Sequence, residues 1–147
     1  MKKAKQNAHH SAARFLFVAY CILMLWLLFG QRMESQTGVK GINLVPLDTL
    51  KLYGKLMHSN SAYLVRHAYV NLIGNVVMFI PLGVFLPQIW PKLRSFFKVL
   101  LLAILVVLLV EGLQYLTALG SCDVDDVILN IPGVMLGFIF WRLFCRK

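Results

Sequence analysis

Cysteine, internal repetition and a cleavable leader are what this sequence has least of. Its three cysteines, Cys21, Cys122 and Cys145, are scattered along 147 residues. An odd and dispersed set argues against a disulfide-held scaffold. No Cys/His spacing suits a tetrahedral zinc site. The histidines, His9, His10, His58 and His67, fall outside the long apolar runs, where they read as solvent or headgroup residues. No repeat, low-complexity tract or linker marks a second domain. Lys2, Lys3 and Lys5 precede an apolar run as in a secretory signal, but no small-residue cleavage motif follows. The run leaves instead into Gly30-Gln31-Arg32-Met33, so a retained signal anchor is expected.

Apolar residues are abundant, at 59% of the chain with a mean hydropathy of +0.73. An ordinary soluble domain has about 45–50%. They are gathered into four runs, at residues 12–30, 69–90, 96–119 and 124–144. A bilayer-spanning helix needs roughly 17–25 mostly apolar residues, and backbone in hydrocarbon must satisfy its own hydrogen bonds. The expected fold is therefore all-α, a polytopic bundle of about four spanning helices. It comprises a short N-terminal segment, residues 1–11, and one membrane domain, residues 12–147. Trp26, Trp90 and Trp141 lie near run ends, as interfacial anchors do.

The net charge of +9 is unevenly placed. Lys2, Lys3, Lys5 and Arg14 lie at the N-terminus, Lys92, Arg94 and Lys98 around the second connection, and Arg142, Arg146 and Lys147 at the C-terminus. The last connection has no Lys or Arg. The positive-inside rule then puts both termini in the cytoplasm. The long first loop runs against this with Arg32, Lys40, Lys51, Lys55 and Arg66, diluted by Glu34 and Asp48. Basic residues so placed suit anionic lipid rather than nucleic acid.

Projection at about 100° per residue gathers the polar residues of the spans onto faces. Asp123, Asp126, Asn130, Gly133 and Gly137 share one stripe, from which Asp125 departs. Asn71, Gly74, Asn75 and Met78 share a second, and Glu111 and Gln114 a third. Counted by helical rise, Asn75, Glu111 and Asn130 reach one depth, about 10 Å below the outer boundary. Part of this has a bland explanation. Asn and Gln glue helices by hydrogen bonds, and Gly133-x-x-x-Gly137 is equally a close-packing face. Asp123 and Asp125 suit a helix N-terminus. Glu111 and Asp126 are harder to explain so, because a carboxylate within a span costs roughly 2.5–3.5 kcal/mol on insertion scales. Two carboxylates sharing a proton can work as general acid and base. Pro81 and Pro132 remove backbone donors inside runs and predict kinks. The apolar patch Ile42-Asn43-Leu44-Val45-Pro46-Leu47 can dip back onto the outer surface of the bundle, or form an ordinary turn capped by Asn43.

Four motifs stand in order: Asn43-Leu-Val-Pro-Leu47, Asn71-Leu-Ile-Gly-Asn-Val-Val-Met-Phe-Ile-Pro-Leu-Gly83, Glu111-Gly-Leu-Gln114 and Asp123-Val-Asp-Asp-Val-Ile-Leu-Asn130. In order and spacing the chain resembles the VanZ-like family, whose namesake is associated with resistance to teicoplanin. The resemblance implies a bacterial plasma-membrane protein. It carries the family's polar positions onto Asn43, Asn71, Asn75, Glu111, Gln114, Asp123, Asp126 and Asn130. One departure is visible: family members often carry an Arg just before the Asp-rich motif, where this chain has Gly120-Ser121-Cys122. Arg66, read as a residue of the first loop, is a candidate substitute.

Several functions fit. The resemblance implies an envelope protein lowering susceptibility to teicoplanin-like glycopeptides, with an outward polar site that binds a lipid-linked cell-wall precursor or the drug. In an enzyme acting on a lipid headgroup, Glu111 and Asp126 would be acid and base, and Asn43, Asn71, Asn75, Gln114, Asp123 and Asn130 would orient the substrate. No cofactor is required, although the carboxylates could hold a divalent cation through oxygen. A proton- or ion-coupled transporter would need a homo-oligomer, since four spans leave little room for alternating access. In the blandest case the polar residues only hold the bundle together.

Overall fold

The computed structural model describes residues 2–30, 42–119 and 122–146. The fold is an all-α polytopic membrane bundle with four helices long and apolar enough to cross a bilayer. The first, α1, runs from Lys2 to Leu25 and continues through one π-helical turn, Trp26–Gly30. A two-residue strand, β1 (Ile42–Asn43), leads to a short helix, α2 (Asp48–Leu56). Helix α3 spans Ala62–Ile89 and α4 spans Phe96–Leu116. The strand β2 (Cys122–Asp123) precedes α5 (Val124–Phe140), which ends in a π-helical turn, Trp141–Cys145.

The bundle centres on α3 against α5, and glycine permits their contact. A Cβ at Gly133 would collide with the carbonyl oxygen of Val76, one at Gly137 with that of Ile80, and one at Gly83 with that of Val134. Without a water-driven hydrophobic force between helices in lipid, such close backbone approach supplies the association energy. The Gly133-x-x-x-Gly137 stripe is thus a packing face. Helix α4 closes over it through Val99, Ala103 and Val107, all fully buried and spaced four apart. Helix α1 lies more loosely, with Phe15, Leu16, Val18, Ile22, Leu23 and Leu25 exposed as a lipid-facing surface. Tyr20 fastens it to α3 by donating its hydroxyl to the Met78 carbonyl at 3.0 Å. At the opposite end from the acids, Arg94 stacks on Trp141, 5.6 Å from the ring centroid.

Three boundaries differ from the sequence reading. Helix α3 begins at Ala62 and not at Tyr69, which takes Arg66 and His67 out of the first loop and into its first turns. Arg66 and His67 hid this start, because they separate Ala62-Tyr63-Leu64-Val65 from the apolar run that follows. Helix α4 stops at Leu116, since Ala118 turns left-handed at φ 55 and Leu119 donates back to the Gln114 carbonyl at 3.1 Å. Helix α1 also extends back through most of the expected N-terminal segment. Pro81 and Pro132 sit inside helices that continue through them. Arg32, Glu34 and Lys40 of the first loop, and Gly120-Ser121 where the family's Arg is missing, lie outside the described residues.

Candidate functional site

The apolar patch after β1 does fold back. β1 pairs in parallel with β2, Ile42 opposite Cys122 and Asn43 opposite Asp123. Asn43 both caps locally and reaches across. Its Oδ1 accepts from the Val45 amide at 3.1 Å, and its Nδ2 donates to Thr49 Oγ1 at 3.0 Å and to Asp123 Oδ1 at 3.3 Å. Thr49 donates to Asp123 Oδ2 at 2.6 Å. Asp123 is the N-cap of α5, its side chain accepting from the Asp125 amide at 2.9 Å. Such a cap satisfies an amide that the helix itself leaves unpaired.

Asp125 is expected to leave the polar stripe and to suit a helix N-terminus. It leaves the stripe, but towards α2. Fully buried, it accepts from the Leu47 amide at 2.6 Å and the Leu50 amide at 3.0 Å. Leu47 is left-handed at φ 68, a conformation that costs a non-glycine residue roughly 1–2 kcal/mol. The Asp125 carboxylate offsets that strain with two charge-assisted bonds at the positive end of α2. Asp123 and Asp125 therefore strap the first loop across the end of the bundle. Glu111, 2% exposed on α4, completes the fastening by accepting the Asp123 amide at 3.0 Å through Oε2.

A second polar group lies between helices. Asn75 of α3 donates through Nδ2 to Asp126 Oδ1 of α5 at 2.7 Å. Gln114 of α4, also 2% exposed, donates to the Leu28 carbonyl of the first span at 3.0 Å. Asn71 donates to the carbonyl of His67 one turn earlier, at 2.8 Å. Asn130 is 3% exposed, and its buried Oδ1 has no hydrogen-bond partner among the described residues.

A lateral groove of about 480 Å³ opens between the first span and α3. Asn71, Gly74, Asn75 and Met78, the face read from the helix projection, all line it, with Gln114 at its upper end and Tyr20 and Pro81 further along. A second hollow of about 360 Å³ adjoins it, sharing Val70 and Asn71 and walled by Tyr63, Arg66 and His67. All the predicted residues but Asn130 thus divide into three sets. Asn43, Glu111 and Asp123 hold the strap, Asn71, Asn75 and Gln114 line the groove, and Asp126 stands behind Asn75. Sequence reasoning missed Thr49, Asp125 and helix α2. Leu50, Tyr53 and Leu56 at spacings of three, with Asp48 in the first turn and Lys55 in the last, were the available signal. Among the described residues no group of three or more His, Cys, Asp and Glu could hold a metal ion.

Bundle, strap and groove together define a polytopic membrane protein with buried polar residues at one end and a groove between the first span and α3. The family model described as VanZ/LLP1 matches residues 17–145, and the chain belongs to that family. No curated protein and no solved structure matches the chain.

Proposed function

We propose that this chain is a cell-envelope protein of the bacterial plasma membrane. In this reading both termini are cytoplasmic, and an outward polar site binds a lipid-linked headgroup and thereby lowers susceptibility to teicoplanin-type glycopeptides. The supporting observation is the groove between the first span and α3, in which Asn71, Asn75 and Gln114 meet an apolar channel. Soluble ligands reach a site through water, whereas a lipid-linked headgroup arrives sideways with its chain still in hydrocarbon. A channel that is apolar along its length and polar at one end matches such a ligand. Glycopeptides act at the outer face of the membrane, where a wall precursor is also exposed. A protein that holds that headgroup can keep it from the drug.

The experiment is teicoplanin susceptibility in cells making the wild type or Asp126→Asn at matched membrane levels. The reading expects protection by the wild type and its loss in the variant, because the Asn75 amide then faces a second amide. If the wild type gives no protection, the resistance reading is wrong.

A second reading makes the same headgroup a substrate, with Glu111 and Asp126 as acid and base. Its support is that both carboxylates lie at the polar end of the bundle, each held by a donor from another element. Glu111→Gln and Asp126→Asn should then each alter the cellular profile of lipids and wall precursors. Unchanged profiles in both variants would remove the catalytic idea and leave binding.

A further inference from the structure

The groove and the hollow above it differ in chemistry, and the difference specifies a ligand. Helix α3 has 28 residues, or about 42 Å at 1.5 Å per residue. That exceeds the ~30 Å hydrocarbon core and matches the ~40–45 Å of a bilayer with its headgroups. Trp90, 43% exposed at the far end, is placed to anchor in one interface. The first turns of α3, with Arg66 and His67, then reach the headgroup layer of the other. Asn71 lies about one turn deeper and Asn75 about two. Met78 and Pro81 follow below, among hydrocarbon.

Along one face of α3 the walls of these two adjoining hollows therefore change from cationic through amide to apolar. The acids at this end already have donors: Asp126 accepts from Asn75 at 2.7 Å, and Asp123 and Asp125, both buried, accept from Asn43, Thr49 and backbone amides. His67 stands between two aromatic rings, Tyr53 at 6.4 Å and Tyr63 at 6.3 Å between centroids, which restricts its movement beside Arg66. A guanidinium matches a phosphate in shape and charge, with several donors fixed in one plane.

We infer that the two hollows together hold a membrane lipid whose headgroup is attached through a phosphate. Arg66 and His67 meet the phosphate, and one hydrocarbon chain lies along the groove past Met78 and Pro81 towards Tyr20. This rests on the headgroup-binding reading above and adds the chemical class that Arg66 selects. An ordinary interfacial Arg would contact many headgroups in passing. Arg66 differs in standing over a groove that accepts the chain of the same lipid.

The test uses the full chain in maltoside micelles and three probes: farnesyl phosphate, farnesol and inorganic phosphate, with binding read by native mass spectrometry. Farnesyl phosphate should bind at least about tenfold more tightly than farnesol, as expected when a charged hydrogen bond is gained. Arg66→Gln should abolish that advantage and Arg66→Lys should restore part of it. Met78→Trp, which fills the groove, should weaken farnesyl phosphate in a chain whose melting is unchanged. Equal binding of farnesyl phosphate by wild type and Arg66→Gln would overturn the inference, as would equal affinity for farnesol. Displacement by inorganic phosphate at the same concentration would show a headgroup site without a chain site, and would overturn it too. Lipid-phosphate binding without glycopeptide protection would leave this inference standing and remove the resistance reading. Protection that survives Arg66→Gln, in a protein with no phosphate preference, would do the reverse.

Discussion

A carboxylate holding two backbone amides of a segment more than seventy positions away has few substitutes. Asp125 accepts from Leu47 and Leu50 with both oxygens, at full burial. Asparagine offers one acceptor and one donor in the same space, so one of the two amides would meet another N–H. The loss of a buried charged hydrogen bond costs about 1.5–3 kcal/mol, and the strain at Leu47 loses its compensation. Asp125→Asn should therefore lower melting in micelles and expose the strap, read as faster limited proteolysis between Ile42 and Leu56. Unchanged proteolysis would mean that β1–β2 pairing and the Asn43–Thr49–Asp123 bonds hold the strap alone. This residue was missed because its partners are backbone atoms of a distant segment. A helix projection sees only side chains sharing a face.

At the level of elements, what was legible is what repeats along one helix. The apolar runs revealed the spans, and spacings of three and four placed Asn71, Gly74, Asn75 and Met78 on the face that became the groove wall. The same spacing brought Asp126, Gly133 and Gly137 to bear on α3. What stayed hidden depends on another element. The start of α3 is set by geometry beyond the hydrocarbon, and α2 is too short to show a sustained period. The α3–α5 contact supplies its own prediction. At Gly137 a side chain would meet the Ile80 carbonyl and the Gly83 Cα, both backbone atoms that cannot rotate away. Gly137→Val should cost about 3 kcal/mol or more, the upper range for overpacking, read as loss of folded protein from the membrane. Gly74→Ala, with open space around its Cβ position, should be accumulated normally. Equal losses in both would show that glycine serves helix flexibility and not close approach.

Over the whole molecule, charge is partly sorted along the bundle. Lys92, Arg94, Lys98, Arg142 and Arg146 flank the turn after α3 and the end of α5, while the acids occupy the other end with the strap, which brings Lys51 and Lys55 there beside Arg66. Two native thiols report this polarity, because Cys122 precedes α5 and Cys145 follows it. In single-cysteine variants an impermeant maleimide should label Cys145 only when the cytoplasmic face is opened, and Cys122 only from outside. Cys21, within the first span, should resist both. Rate carries further information. Burial pushes the Cys122 thiol above its ordinary value, and the nearby charges of Glu111 and Asp123 push it further. A raised thiol pKa leaves less of the reactive thiolate at a given pH. Cys122 labelling should therefore be slow near pH 8 and still be accelerating above the pH at which an ordinary thiol, with a pKa of about 8.5, has reached half its maximal rate. Labelling of Cys145 in intact spheroplasts would invert the topology and put the groove's polar end in the cytoplasm, out of reach of a drug acting outside. Labelling of both thiols from one side would mean that α5 does not cross the bilayer.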